Sequence, residues 1–170
     1  TLLVEGAASP HTYSLKPSQA KQLQEADIVF WMSHDLEAFL ENSIENIAQD
    51  AVSVPLIESH NLTKLSFREG GAFDAHGHDD HDDKHDDHDE TDPHVWLDPQ
   101  NAKALVHEIE EQLAKIDPEN AEVYEANASI VMKKLDKLTN EIDVDLKPIR
   151  SRGYVVFHDA YQYFEKRFGI

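Results

Sequence analysis

Residues 117–148, DPENAEVYEANASIVMKKLDKLTNEIDVDLKP, carry the longest helical pattern in the chain. Asp117-Pro118 is a helix start, an acceptor side chain at the cap followed by a proline whose missing N–H costs nothing in the first turn. Tyr124, Ala128, Val131, Leu135, Leu138 and Ile142 then recur at three- and four-residue spacing, one face of a helix. Pro148 stops the pattern. About 30 residues at 1.5 Å each predict a rod of roughly 45 Å. That is longer than a small lobe is wide, so the helix reads as a spacer between two lobes.

On its N-terminal side the pattern alternates between strand and helix. Residues 2–5 read as a short apolar strand, followed by a small-residue turn that ends at His11. Pro17-Ser18 start a helix to Ala26 with Ala20 and Leu23 on its apolar face. The run DIVFWM, 27–32, is β-branched and aromatic, as in a strand buried on both faces. Leu36, Phe39, Leu40, Ile44 and Ile47 mark an amphipathic helix from about Asp35, and 52–57 is another strand. Strands and helices joined by short links predict an α/β fold with a parallel sheet and crossover helices. Asp98-Pro99 repeats the cap-and-proline start, with Ala102, Leu105, Val106, Ile109 and Leu113 on one face. Beyond the long helix, GYVVF at 153–157 reads as a buried strand that His158 ends, with a helix from about Asp159. The domains expected are an N-terminal lobe over 1–116, the spacer helix over 117–148, and the start of a second lobe over 152–170. The chain opens without Met in an apparent strand, lacks a signal-peptide pattern, and stops within an apparent helix. A processed or partial chain is expected.

Of 170 residues, 15 are Lys or Arg and 34 are Asp or Glu, a formal charge of −19. Residues 74–92 hold nine Asp, one Glu and one Lys, so this stretch carries −9 by itself. No basic patch is available to neutralise phosphates, which excludes nucleic acid and anionic lipid as partners. No apolar run is long enough to insert into a membrane. There is no cysteine, which removes disulfides, thiolate nucleophiles and Cys-based metal sites. There is no GxSxG elbow and no glycine-rich phosphate loop, so nothing favours an enzyme.

Three histidines share one structural address. His11 follows a strand and precedes a helix, His94 lies in the turn before the Asp98 helix, and His158 stands between a strand and a helix. Ligands of open α/β sheets gather beyond the carboxyl ends of the strands. Imidazoles from three segments there would suit Zn²⁺, with a fourth position open to a carboxylate or water. Asp159 is a candidate to orient a ligand histidine through its other ring nitrogen, or else to cap the following helix. His34, His60 and His107 are weaker candidates, His107 sitting beside Glu108 and Glu110 on a surface face. Residues 70–92 have almost no large apolar side chains, so a disordered surface loop is expected there. Its His76, His78, His81, His85 and His88, among the aspartates, are expected to form an auxiliary low-affinity site for divalent cations, for capture or sensing.

SPHTYSLKPS, DPHVWLDPQNA and GYVVFHDAYQYFEKRFG, in that order around an acidic His-rich loop, resemble the cluster A-I metal solute-binding proteins of bacterial ABC importers, on the zinc-binding side of that cluster. The resemblance covers essentially the whole chain. It implies a two-lobed α/β fold with parallel sheets, joined by one long rigid backbone helix, of which this chain covers only part. It also implies a periplasmic monomer that binds Zn²⁺ and hands it to a membrane permease without catalysis. By motif, the metal ligands fall on His11, His94 and His158. Manganese-binding relatives typically have Glu where this chain has His158, and three imidazoles are softer and favour zinc. Some zinc-specific relatives have Glu just before the first histidine, where this chain has Pro10. A chain carrying part of that fold is expected to show an incomplete cleft and an exposed edge on the strand before His158. The alternatives are a binding protein for manganese or nickel, a zinc-dependent hydrolase, or a surface adhesin.

Overall fold

The computed structural model describes residues 1–4, 9–68 and 91–170. The expected loop over 70–92, with its five histidines, lies outside the described residues except for Thr91 and Asp92. The chain divides into two packed units, Thr1–His60 and Asn61–Ile170.

The first unit is a strand–helix–strand element preceded by a short helix. Helix α1 spans Pro17–Gln24, strand β1 Ile28–Trp31, helix α2 His34–Ile47 and strand β2 Val52–Pro55. The two strands pair in parallel, Ile28 opposite Val52 through Trp31 opposite Pro55, as the alternating sequence pattern predicts. Parallel neighbours need a crossover, and α2 supplies it. Leu36, Leu40 and Ile44 of α2 are buried, and Leu23, Val29, Trp31, Leu40, Ile44 and Ala48 form one core cluster. The indole of Trp31 donates to Ser53 Oγ at 3.0 Å, so the one polar atom of this buried ring is satisfied. The helix α2 is not regular at its start. Glu37 has φ −125° and ψ 49°, and its carboxylate turns back to accept from the amides of Met32 (2.6 Å) and Ser33 (3.3 Å).

The strand expected over 2–5 is absent from the described part of that stretch. A strand needs a hydrogen-bonded neighbour, and the carbonyl of Leu3 is taken by side chains. It accepts from the Tyr13 hydroxyl (3.4 Å) and from Gln19 Nε2 (2.5 Å).

The second unit is built on a helical hairpin. Helix α3 spans Pro99–Ile116, helix α4 Ala121–Leu146 and helix α5 Gln162–Phe168. Asp98 caps α3 by accepting from the Gln100 amide at 2.9 Å, with Pro99 in the first turn, as the sequence foretells. The helix α4 folds back along α3, and Lys103 reaches Asp136 at 2.7 Å. Its 26 residues make a rod of about 39 Å. The packed stripe differs from the expected one at two positions. Val131 and Leu138 are exposed, while Met132 and Thr139 are the partly buried members of the face that includes Tyr124, Ala128, Leu135 and Ile142. At 3.6 residues per turn, steps of three and four both fit the apolar pattern, and packing on α3 selects the latter at these points.

Residues 153–157 form no strand. Val155 and Phe157 are 97% and 107% exposed, and no strand among the described residues pairs with them. The expected edge is therefore a bare apolar segment rather than a ladder. The helix after it begins at Gln162, not near Asp159, and ends inside the chain. Gly169 adopts φ 66°, a left-handed C-cap whose amide donates to the Glu165 carbonyl at 2.8 Å.

Candidate metal centre

In the first unit, His11 occupies a single 3-10 turn, Pro10–Thr12, and its ring is exposed. The turn is anchored just downstream. The Tyr13 hydroxyl accepts from Gln19 Nε2 (2.6 Å), Gln19 Oε1 accepts from the Lys16 amide (2.9 Å), and the Tyr13 ring packs on Phe39 at 5.4 Å.

In the second unit the structure brings His94 and His158 together. Their Nε2 atoms face each other at 3.3 Å, with ring centroids 5.2 Å apart in an edge-on arrangement. His94 is buried and its ring also meets Trp96 at 5.4 Å, whereas His158 is exposed. Two ring nitrogens held by one Zn²⁺ at about 2.0–2.1 Å with tetrahedral angles lie about 3.3–3.4 Å apart. The observed spacing equals that edge.

The carboxylate that orients a site imidazole is Asp92, which sequence reasoning counted only as part of the acidic run. Asp92 Oδ1 accepts from both the His94 amide (3.0 Å) and His94 Nδ1 (2.6 Å). A carboxylate on Nδ1 places the proton there and leaves Nε2 as the lone-pair atom directed at His158. Asp92 is 2% exposed. Burial pushes its carboxyl up, but the hydrogen bonds from the His94 ring and amide and from Gln162 outweigh that and hold it below the usual carboxylate value. Asp159, expected to serve as the orienting group or as a helix cap, does neither here: it pairs with Arg68, and α5 is entered from Tyr161.

Helix α5 braces this corner. Gln162 Nε2 donates to Asp92 Oδ2 at 2.5 Å, and the Tyr163 hydroxyl donates to the Asp92 carbonyl at 2.8 Å while accepting from the Leu65 amide at 2.9 Å. Tyr163 is 1% exposed, and burial first, with the charge of Asp92, raises it to about 12, so the hydroxyl stays a donor. Arg167 grips the buried cap residue Asp98 with two bonds of 2.6 Å. Thr63 pairs through its backbone with the buried amide of Asn101, at 2.8 and 2.9 Å. The signal for these partners lies in the two motifs themselves: Asp92, His94 and Asp98 in DPHVWLDP meet Gln162, Tyr163 and Arg167 in HDAYQYFEKR.

The weaker histidines are surface residues. His34 pairs with Glu41 at 2.6 Å and His107 with Glu110 at 3.2 Å, both exposed, and His60 is exposed. No helix among the described residues is long and apolar enough to cross a membrane.

Comparison with known proteins gives a consistent result. The family described as "Zinc-uptake complex component A periplasmic" matches over residues 1–170. The High-affinity zinc uptake system protein ZnuA of Brucella abortus (strain 2308) is 44% identical over 99% of this chain and 58% of its own length. Its counterpart of the same name in Paracoccus denitrificans (strain Pd 1222) is 34% identical over 99% of this chain and 57% of its own. A solved structure described as a 138-173 deletion mutant of ZnuA with zinc bound superposes with a TM-score of 0.79 at 26% identity, covering 99% of this chain and 57% of that one. The chain thus spans a little more than half the length of these relatives.

Proposed function

Since the chain belongs to the periplasmic zinc-uptake component A family, we propose that it is the metal-capturing part of the solute-binding component of a zinc ABC importer. Its cargo is Zn²⁺, its partner the importer's membrane permease, its location the periplasm, and it performs no catalysis. The ligands this reading assigns are His11, His94 and His158.

The observation that carries this reading is the His94–His158 pair. Two Nε2 atoms at 3.3 Å, one of them on a ring whose Nδ1 is bound to a buried anion, form a preorganised two-nitrogen edge. Such a pair suits a borderline-soft cation directly. Coordination needs an unprotonated ring nitrogen, so binding competes with protons and weakens in acid, which favours release.

Titration calorimetry of the intact protein with zinc tests the assignment. His11→Ala, His94→Ala and His158→Ala are each expected to weaken binding by two orders of magnitude or more, on the order of 3 kcal/mol. Unchanged affinity in all three removes the site. Metal analysis of protein purified without added metal separates zinc from manganese, because manganese prefers oxygen donors and would be lost from imidazoles.

A further inference from the structure

His158 sits on a segment with neither helix nor strand, between α4 and α5, so regular backbone does not place its ring. Side-chain ties on both sides of it do. On the C-terminal side, Asp159 accepts from Arg68 Nε at 3.3 Å and also from a terminal guanidinium nitrogen. The other terminal nitrogen of Arg68 bonds to Glu165 on α5. On the N-terminal side, the Tyr154 hydroxyl donates to the second oxygen of Glu165 at 2.6 Å. Arg68 and Glu165 therefore form one hub whose two arms grip the chain at 154 and 159, with His158 between them. Arg68 and Glu165 are 23% and 17% exposed at the side chain, which limits screening by solvent. Only the planar fork of a guanidinium engages two carboxylates in this way; an ammonium acts as a point charge.

We infer that Arg68 is a positioning residue for the metal site: clamped between Asp159 and Glu165, it holds the His158 imidazole at the spacing from His94 that a shared Zn²⁺ requires. The inference rests on the zinc-site reading above and adds to it a residue outside the three motifs.

The test is a double-mutant cycle on the intact protein, read as zinc affinity by competition with a chelator. Arg68→Met is expected to weaken zinc about tenfold, as loss of a ligand-orienting contact does, and Arg68→Lys to recover part of that loss. In a His158→Ala background Arg68→Met should cause no further loss, because the ring it positions is gone. A general structural role would instead give the same loss in both backgrounds, and that result, or full affinity in Arg68→Met, overturns the inference. Should Arg68→Met fail to fold by circular dichroism, Glu165→Gln in the same two backgrounds replaces it, with a smaller loss expected in the first and none in the second. If His158→Ala itself leaves affinity intact, the zinc-site reading falls and takes the clamp with it. If His158→Ala weakens binding but neither hub variant does, the clamp alone falls.

Discussion

Asp92 and Glu37 are two carboxylates that burial pushes the same way, yet they end up shifted in opposite directions. At Asp92 the donors win and the group is an anion against His94. Asp92→Asn keeps the shape and removes the charge, so Nε2 of His94 becomes a poorer donor. Zinc affinity should fall about ten- to hundredfold, with little change in stoichiometry. A titration in which Asp92→Asn matches the wild type would show that the carboxylate only shapes the turn. At Glu37, burial dominates over the lowering effect of the Met32 and Ser33 amides, and the carboxyl is pushed above its ordinary value. A group whose folded pKa is raised contributes its stability below the unfolded pKa and loses it as pH rises through the folded one. The protein should therefore lose stability at this residue on going from about pH 4 toward neutrality. Glu37→Gln retains an acceptor for the two amides and cannot ionise. Thermal unfolding at acid and neutral pH should show a flatter pH dependence in Glu37→Gln, and equal slopes in the two proteins would contradict the assignment.

Among the elements, α5 matters most to the site despite its seven residues. It contacts the turn before α3 through Gln162, Tyr163 and Arg167, and the Arg167–Asp98 fork joins it to the cap of α3. Removing the guanidinium leaves Asp98, 4% exposed, without its charge partner. Arg167→Met should cost about 2 kcal/mol, below the full cost of breaking a buried pair because the arginine is partly exposed. Denaturant titration of both proteins measures it, and a loss under about 0.5 kcal/mol would mean that the cap alone holds Asp98. Elements differ in how far the sequence reveals them. Helix starts such as Asp98-Pro99 are local chemistry, and they appear where the residues say. The parallel pair β1–β2 was also legible, because both partners and the crossover lie within thirty residues of each other. GYVVF was not, since strand character is realised only against a neighbour, and its apolar content alone cannot supply one. Asp92 was hidden for another reason. Its bond to His94 depends on a turn conformation, and in the sequence it is simply the last member of a run of aspartates. The three motif histidines could be picked out singly, but the facing of two Nε2 atoms belongs to tertiary structure.

At the scale of the molecule, the described residues on either side of the acidic histidine-rich tract are joined directly to each other. Ser66 and Thr91 form an antiparallel bridge, and the Asp92 amide donates to the Leu65 carbonyl at 2.8 Å. Paired residues on such a bridge are about 5 Å apart, so the two ends of the tract meet before it begins. A shorter connection closes the same gap, and loop-closure entropy changes only slowly with length. A deletion must nevertheless stop before Thr91, because Thr91 holds the bridge and Asp92 holds His94. Removal of residues 74–90 takes out His76, His78, His81, His85 and His88 with most of the tract's negative charge. Two consequences follow from different physics. If the five imidazoles are the auxiliary sites expected from the sequence, zinc stoichiometry should fall toward one per protein while the tight phase shifts less than about threefold, well under 1 kcal/mol. The loss of charge removes the local enrichment of cations, so the zinc association rate should fall and lose much of its dependence on ionic strength. His94→Ala is the complementary variant, expected to lose the tight phase and keep the weak one. Calorimetry of both proteins, with stopped-flow measurements at two salt concentrations, distinguishes these roles. If the deletion abolishes the tight phase although Asp92 and His94 remain, the tract supplies a ligand to the principal site, and the three-imidazole assignment has to be replaced by one that includes it.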